Sequence, residues 1–384
     1  MDPTDALAAL APLLEIAFVG RVILALLPPG LPGRHRFGDL PATWAASHLL
    51  GGIALGLESR LMELLELHPP RLALVAPWLL VALARWITLP GAMVPRHEPL
   101  PEGAGALAKI LRIAAPLAVA LATWHHRMPL AAAADALALL ACASFALLSS
   151  RRSPTGRALV VLLLALVLGL GLDAQAIQPI AVALRTGAGA CFSAVWLRRG
   201  DRRAALLAVI AFAGCGLLGL REALLGCAGL IALWIHTPGP SQRWVLERSV
   251  VALAVGTAAG WSVYDPFAPG AEVVNPLTEA VLVVVALAVW RRKRLVDARA
   301  PAEGAGKERR GRIDPTIVER ELVRDAVILC LFPMAARGEL SAFERLAPAL
   351  LPLAPLVLLE LGLVLAPAEQ PPGTAVPAPG PARR

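Results

Sequence analysis

The chain has 384 residues, of which 57% are hydrophobic and only 17% charged, and its mean hydropathy is +0.67. Soluble domains carry about 25% charged residues, so this composition argues against a soluble enzyme. Lys and Arg total 36 against 28 Asp and Glu. The surplus sits in blocks at the ends of apolar runs, as the positive-inside rule requires of a membrane protein. No basic surface interleaved with aromatic residues accompanies it, so nucleic acid is excluded as the expected partner.

The apolar residues come in runs of 16 to 22, each long enough to cross roughly 30 Å of hydrocarbon as a helix. The predicted segments are 8–28, 42–62, 71–89, 106–124, 129–149, 158–173, 176–197, 203–219, 221–236, 245–262, 272–290, 322–337 and 345–366. The fold class expected is therefore all-α. It is a polytopic helical membrane protein of about 13 transmembrane helices, within a range of 11–13. Residues 1–150 form an N-terminal block of about five helices and 151–290 a central block of about six. A basic linker at 291–320 and a helix pair within 321–366 follow, and the Pro/Ala-rich tail 367–384 is expected to be disordered.

Met1 to Asp5 has two acids and no basic region, so the first apolar segment reads as a retained helix instead of a cleaved signal. Placing the basic blocks at 151–157, 198–203 and 291–312 on one side requires an even number of spans between them. The assignment satisfies this. The N-terminus is then outside and the C-terminus inside, in a bacterial cytoplasmic (inner) membrane, because outer-membrane proteins are barrels.

Arg21 stands inside the first run, where hydrocarbon penalises a guanidinium by about 2.5 to more than 10 kcal/mol. It reads either as a contact to a lipid phosphate or as a side chain that snorkels to the interface. His48, Glu58, Arg60, Glu63 and Glu66 cluster around the second segment. There the i, i+3 spacing of Arg60, Glu63 and Glu66 predicts an ion-paired helix end. His125 and His126 are adjacent and so do not share a helix face. No metal site and no cofactor are expected. The five cysteines lack CxxC spacing and read as buried small hydrophobes. The tryptophans fall mostly near segment ends, as interface anchors.

Asp173 follows a long apolar run and precedes Gln175, Gln178 and Arg185. An external acid with an Arg about three turns down the next span has the chemistry to handle a sugar and a phosphate. The same residues also suit a solvated helix-end acid, with Arg185 as the internal ion-pair partner of a buried carboxylate. Spacing alone leaves both open.

The stretch Asp173-Ala-Gln-Ala-Ile-Gln-Pro, continuing to Leu184-Arg185-Thr186-Gly187, resembles a segment of multi-span glycosyltransferases that use polyprenyl-phosphate sugars. These are the protein O-mannosyltransferase and lipid A aminoarabinose transferase type. Leu197-Arg-Arg-Gly-Asp-Arg-Arg resembles a cytoplasmic turn of that family, and Leu218-Gly-Leu-Arg-Glu a later region. The resemblance covers 158–366. It implies Asp173 as the catalytic acid/base, Arg185 and Arg221 as contacts to the substrate phosphate, and a polyprenyl-phosphate-linked sugar and membrane lipid as partners. The chain lacks the family's sizeable external segment after the Asp, and no Gly follows Glu222. A degenerate relative without activity is thus the second form of this reading. A transporter or flippase-like carrier and a non-catalytic membrane scaffold are the alternatives, and protein partners stay unspecified.

Overall fold

The computed structural model describes residues 3–27, 40–88, 106–126, 129–148, 161–166, 177–237 and 239–261. Every regular element among the described residues is helical. These are α1 (Pro3–Leu26), α2 (Leu40–Leu64), α3 (Arg71–Thr88), α4 (Ala106–His126), α5 (Leu130–Leu148), α6 (helical residues 161–166) and α7 (Ile177–Arg199). After them come α8 (Arg202–Gly214), a 3-10 turn (Cys215–Leu217), α9 (Leu220–His236) and α10 (Gly239–Trp261). The all-α expectation holds over this part. The first ten predicted segments fall on α1 to α10, although α6 is described only over six residues. The segments at 272–290, 322–337 and 345–366, the linker and the tail lie outside the described residues.

Local chemistry sets the breaks. Between α7 and α8, Gly200 adopts φ 64°, the left-handed conformation that favours glycine at a helix C-terminus. Its N–H donates to the Trp196 carbonyl at 2.7 Å. Asp201 follows as the N-cap of α8, its carboxylate accepting from the Arg203 N–H at 2.9 Å. A Gly stop and an Asp start in consecutive positions reverse the chain within two residues.

Small residues bring the helices together. The core is dominated by alanine, including Ala42, Ala45 and Ala46 on α2, Ala132, Ala136 and Ala138 on α5, and Ala204, Ala205 and Ala208 on α8. At the α1–α2 crossing a Cβ on Gly20 would fall on the Ser47 carbonyl, and one on Gly51 on the Ile16 carbonyl. The two backbones therefore touch. Phe212 of α8 is the main bulky plug, with its ring seated where Cβ atoms on Gly189 of α7 and Gly229 of α9 would collide with it. Four buried hydroxyls are satisfied within their own helices, whereas that of Ser249 has no hydrogen-bond partner. Ser47, Thr186, Ser193 and Thr237 donate to carbonyls four residues back, at 2.7–3.0 Å.

The outer faces are unusually apolar. Leu72, Leu79, Leu80, Leu83, Trp86 and Ile87 lie exposed along α3, with Leu72 at 76% and Ile87 at 71%. Ile110, Ile113, Leu117 and Leu121 do so on α4, and Leu246, Val250, Val251 and Val255 on α10. Soluble monomers rarely expose contiguous apolar patches beyond a few hundred Å². Among the described residues one helix window, Ile180–Leu197, is long and apolar enough by itself to cross a membrane, and 83% of it is buried inside the bundle. Leu72–Thr88, Ile113–Thr123, Leu130–Ala146 and Leu225–His236 are shorter apolar helical segments.

Gly20→Leu should lower stability by about 3 kcal/mol or more, because its side chain meets backbone that cannot rotate away. Gly52→Ala is the control: nothing lies within 4 Å of its Cβ position, and the change should stabilise the helix by about 0.5–1 kcal/mol. Thermal unfolding followed by circular dichroism reads both.

Candidate functional site

A set of ionisable side chains converges inside this alanine-rich packing. His48, on α2, is only 4% exposed. One turn earlier on the same face, Trp44 stacks against its ring, with centroids 5.5 Å apart and planes 19° from parallel. The His48 Nε2 pairs with Asp135 Oδ1 of α5 at 2.8 Å. Its Nδ1 is buried without a hydrogen-bond partner. A buried nitrogen in this state forfeits about 1–3 kcal/mol.

Asp135 also lies within electrostatic range of Arg185 on α7, as does Cys215. The Arg185 guanidinium donates through Nη1 to the carbonyl of Gly214. Gly214 ends α8, where carbonyls lack partners within the helix, so a cation from the neighbouring helix completes that terminus. Cys215 opens the 3-10 turn, and Glu222 in the first turn of α9 is its other charged neighbour. Glu222 is buried too, at 8% exposure. Five polar groups on α2, α5, α7, the 3-10 turn and α9 thus run as a chain: His48, Asp135, Arg185, Cys215, Glu222.

Among the described residues no activated nucleophile stands beside the His–Asp pair. The neighbouring Ser47 hydroxyl is bonded to the Thr43 carbonyl, and the Cys215 thiol reaches toward the Ala211 carbonyl at 3.9 Å. The arrangement is suited to holding a proton or a small charged group, more than to attacking a substrate.

Of the residues singled out in the sequence, Arg185 belongs to this cluster, within electrostatic range of the half-buried Asp135. Arg221 occupies the first turn of α9, next to Glu222 in sequence. Asp173 lies outside the described residues. The group around the second segment separates. Arg60 and Glu63 pair at 2.6 Å on the surface, as the spacing predicted. Glu58 instead accepts from the Trp78 indole at 2.7 Å, and Glu66 stands in the turn after α2 with φ 57°. Cys142, Cys191 and Cys215 are buried, and Cys227 is half-buried. Among the described residues no group of three His, Cys, Asp or Glu is close enough to hold a metal ion.

Sequence reasoning missed Asp135. It stands alone in Leu130-Ala-Ala-Ala-Ala-Asp135-Ala, with no motif around it. The available signal was its isolation, since an ionisable residue within an apolar helical run needs a partner. Comparison with protein-family models, with curated proteins and with solved structures gives no match in any of the three.

Arg185→Met should destabilise the protein by about 1–3 kcal/mol, since it leaves the Gly214 carbonyl at the end of α8 without its donor. A double-mutant cycle on His48→Ala and Asp135→Ala should show coupling of about 1–3 kcal/mol. Denaturation midpoints of the single and double variants test both statements.

Proposed function

We propose that the chain is an integral membrane protein, a polytopic helical bundle, that works as a carrier centred on His48, Asp135 and Arg185. The observation carrying this reading is the inversion of polarity across the bundle. Large apolar side chains line the outside of α3, α4 and α10, while His48, Arg185 and Glu222 lie inside. In water such a surface would drive aggregation; against lipid tails it is the stable arrangement. Ionisable residues in that setting face the bundle interior, pair with one another, and mark ion or proton pathways.

The thirteen-helix layout, the outside N-terminus, the inside C-terminus and the bacterial inner membrane belong to this proposal. Their support is the distribution of Lys and Arg among the loops. The carrier's cargo is a small charged species, since His48, Asp135 and Arg185 are ionisable groups that the bundle interior brings together. Glycines and the interrupted helix at Gly214–Gly219 provide the broken-helix character that carriers use near their binding sites.

The polyprenyl-phosphate transferase is the second reading. In its favour, Arg185 stands two turns into α7, directly after the segment that holds Asp173. Its acid/base would be Asp173, with Arg185 and Arg221 facing phosphate. Asp173→Asn should then reduce sugar transfer from a polyprenyl-phosphate donor by about 100-fold or more. Unchanged transfer would remove this reading.

Thiol accessibility separates the readings. A variant retaining Cys215 alone, in sealed vesicles of both orientations, is treated with a membrane-impermeant maleimide. A carrier exposes Cys215 in turn to each side, so labelling from both is expected. A transferase with an external site labels from outside only, and a scaffold from neither. Resistance of the protein to extraction by alkaline carbonate tests the membrane assignment by itself.

A further inference from the structure

The His48–Asp135 pair lies one helical turn from a place where the bundle opens. Residues 45–51 of α2 are buried, whereas each residue from Gly52 to Arg60 is partly exposed. Gly52 follows His48 by four positions and so shares its helix face. Among the described residues no atom lies within 4 Å of a Cβ placed there. On α5, Ala131 precedes Asp135 by four positions, again on one face, and it is exposed together with Leu130. As an even and an odd span, α2 and α5 run antiparallel on the membrane reading. From the pair toward the start of α5, each helix therefore presents a residue with little or no side chain. The two faces part into a notch with Asp135 at its foot.

Asp135 is the accessible member of the pair. Its side chain keeps 21% of its surface exposed, against 5% for His48. Side chains on a helix lean toward its N-terminus, which directs Asp135 up the notch. Its Oδ1 is paired with His48 Nε2 at 2.8 Å, so the carboxylate is held in one orientation. A species entering here meets a carboxylate first, which selects a cation. A metal ion requires several oxygen ligands, and this carboxylate has one oxygen already engaged. A primary ammonium requires only an acceptor, and its short alkyl stem has room at Gly52 and an apolar wall at Ala131 and Leu130. Arg185 is within electrostatic range of the same carboxylate. Its like charge weakens the attraction and keeps binding reversible.

We propose that the notch between Gly52 and Ala131 is the entrance to the His48–Asp135 pair, and that it takes a small primary alkylammonium ion whose charge rests on Asp135. Gly52 sets the size of the entrant, and His48 is a positioning residue for the carboxylate. The inference deepens the carrier reading, and it rests on that reading for the antiparallel run of α2 and α5.

The test follows modification of Ala131→Cys in the whole chain, purified in detergent, by site-resolved peptide mass spectrometry. Two methanethiosulfonates of similar size and opposite charge are compared, the ethylammonium and the ethylsulfonate. Each rate is normalised to that with free mercaptoethanol. At low salt the ammonium reagent should react about tenfold faster than the sulfonate, and adding Asp135→Asn should bring the two near parity. Gly52→Leu, at a position with room for it, should slow the ammonium reagent about tenfold by filling the notch. Methylammonium chloride should slow it more than sodium chloride does at equal ionic strength. Gly52→Cys, at the same open position, is a second reporter should Ala131→Cys fail to fold. Parity of the two reagents in the parent, a preference indifferent to Asp135→Asn, or a rate unchanged by Gly52→Leu overturns the entrance. Charge preference at Ala131→Cys, with Cys215 labelled from neither side of sealed vesicles, upholds the notch and removes the carrier reading. The reverse pattern removes the notch alone.

Discussion

Close approach of helix backbones is the constraint on which the rest of this structure depends. Alanine and glycine bury little apolar area per residue, so a core made of them gains cohesion only where helices lie nearly in contact. Gly20 and Gly51 provide that contact between α1 and α2, each facing a carbonyl of the other helix. Gly226 of α9 does the same against the Phe212 carbonyl of α8. Few bulky side chains are then needed, and the Phe212 ring is seated between Gly189 and Gly229, where only glycine leaves room for it.

The polar cluster follows from this geometry. Helices packed through small residues bring short side chains such as Asp135 within 2.8 Å of a partner on another helix. In a core of large residues the same Asp would be held too far from His48 to pair with it. The termination of α8 at Gly214 has a similar consequence, because it leaves a carbonyl facing α7 where Arg185 supplies the donor. Packing thereby determines which charges meet. A low-dielectric surrounding then makes each pairing costly to break.

Cations from neighbouring helices complete helix ends in two places. Arg185 donates to the Gly214 carbonyl at the end of α8 and lies within electrostatic range of Asp135. Arg85 and Arg203 reach the Ala25 and Leu27 carbonyls at the C-terminal end of α1. In both places a guanidinium from another helix meets a carbonyl that has no partner within its own helix.

The helices themselves were written in the sequence. Apolar runs and the basic blocks locate nine of the described helices to within about six residues, because helix formation and termination are local properties. Arg60 and Glu63 were also legible, since i, i+3 neighbours meet whatever the fold does. Glu58 was not: its partner Trp78 is 20 residues away, on another helix. Nor was the pairing of His48 with Asp135, 87 positions apart, or the reach of Arg85 and Arg203 to the end of α1. Such pairs depend on which faces of which helices touch. A sequence of repeating Leu and Ala carries almost no information about that, since every face looks alike. Tertiary packing through the glycines chose the faces, and with them the residues that can act together.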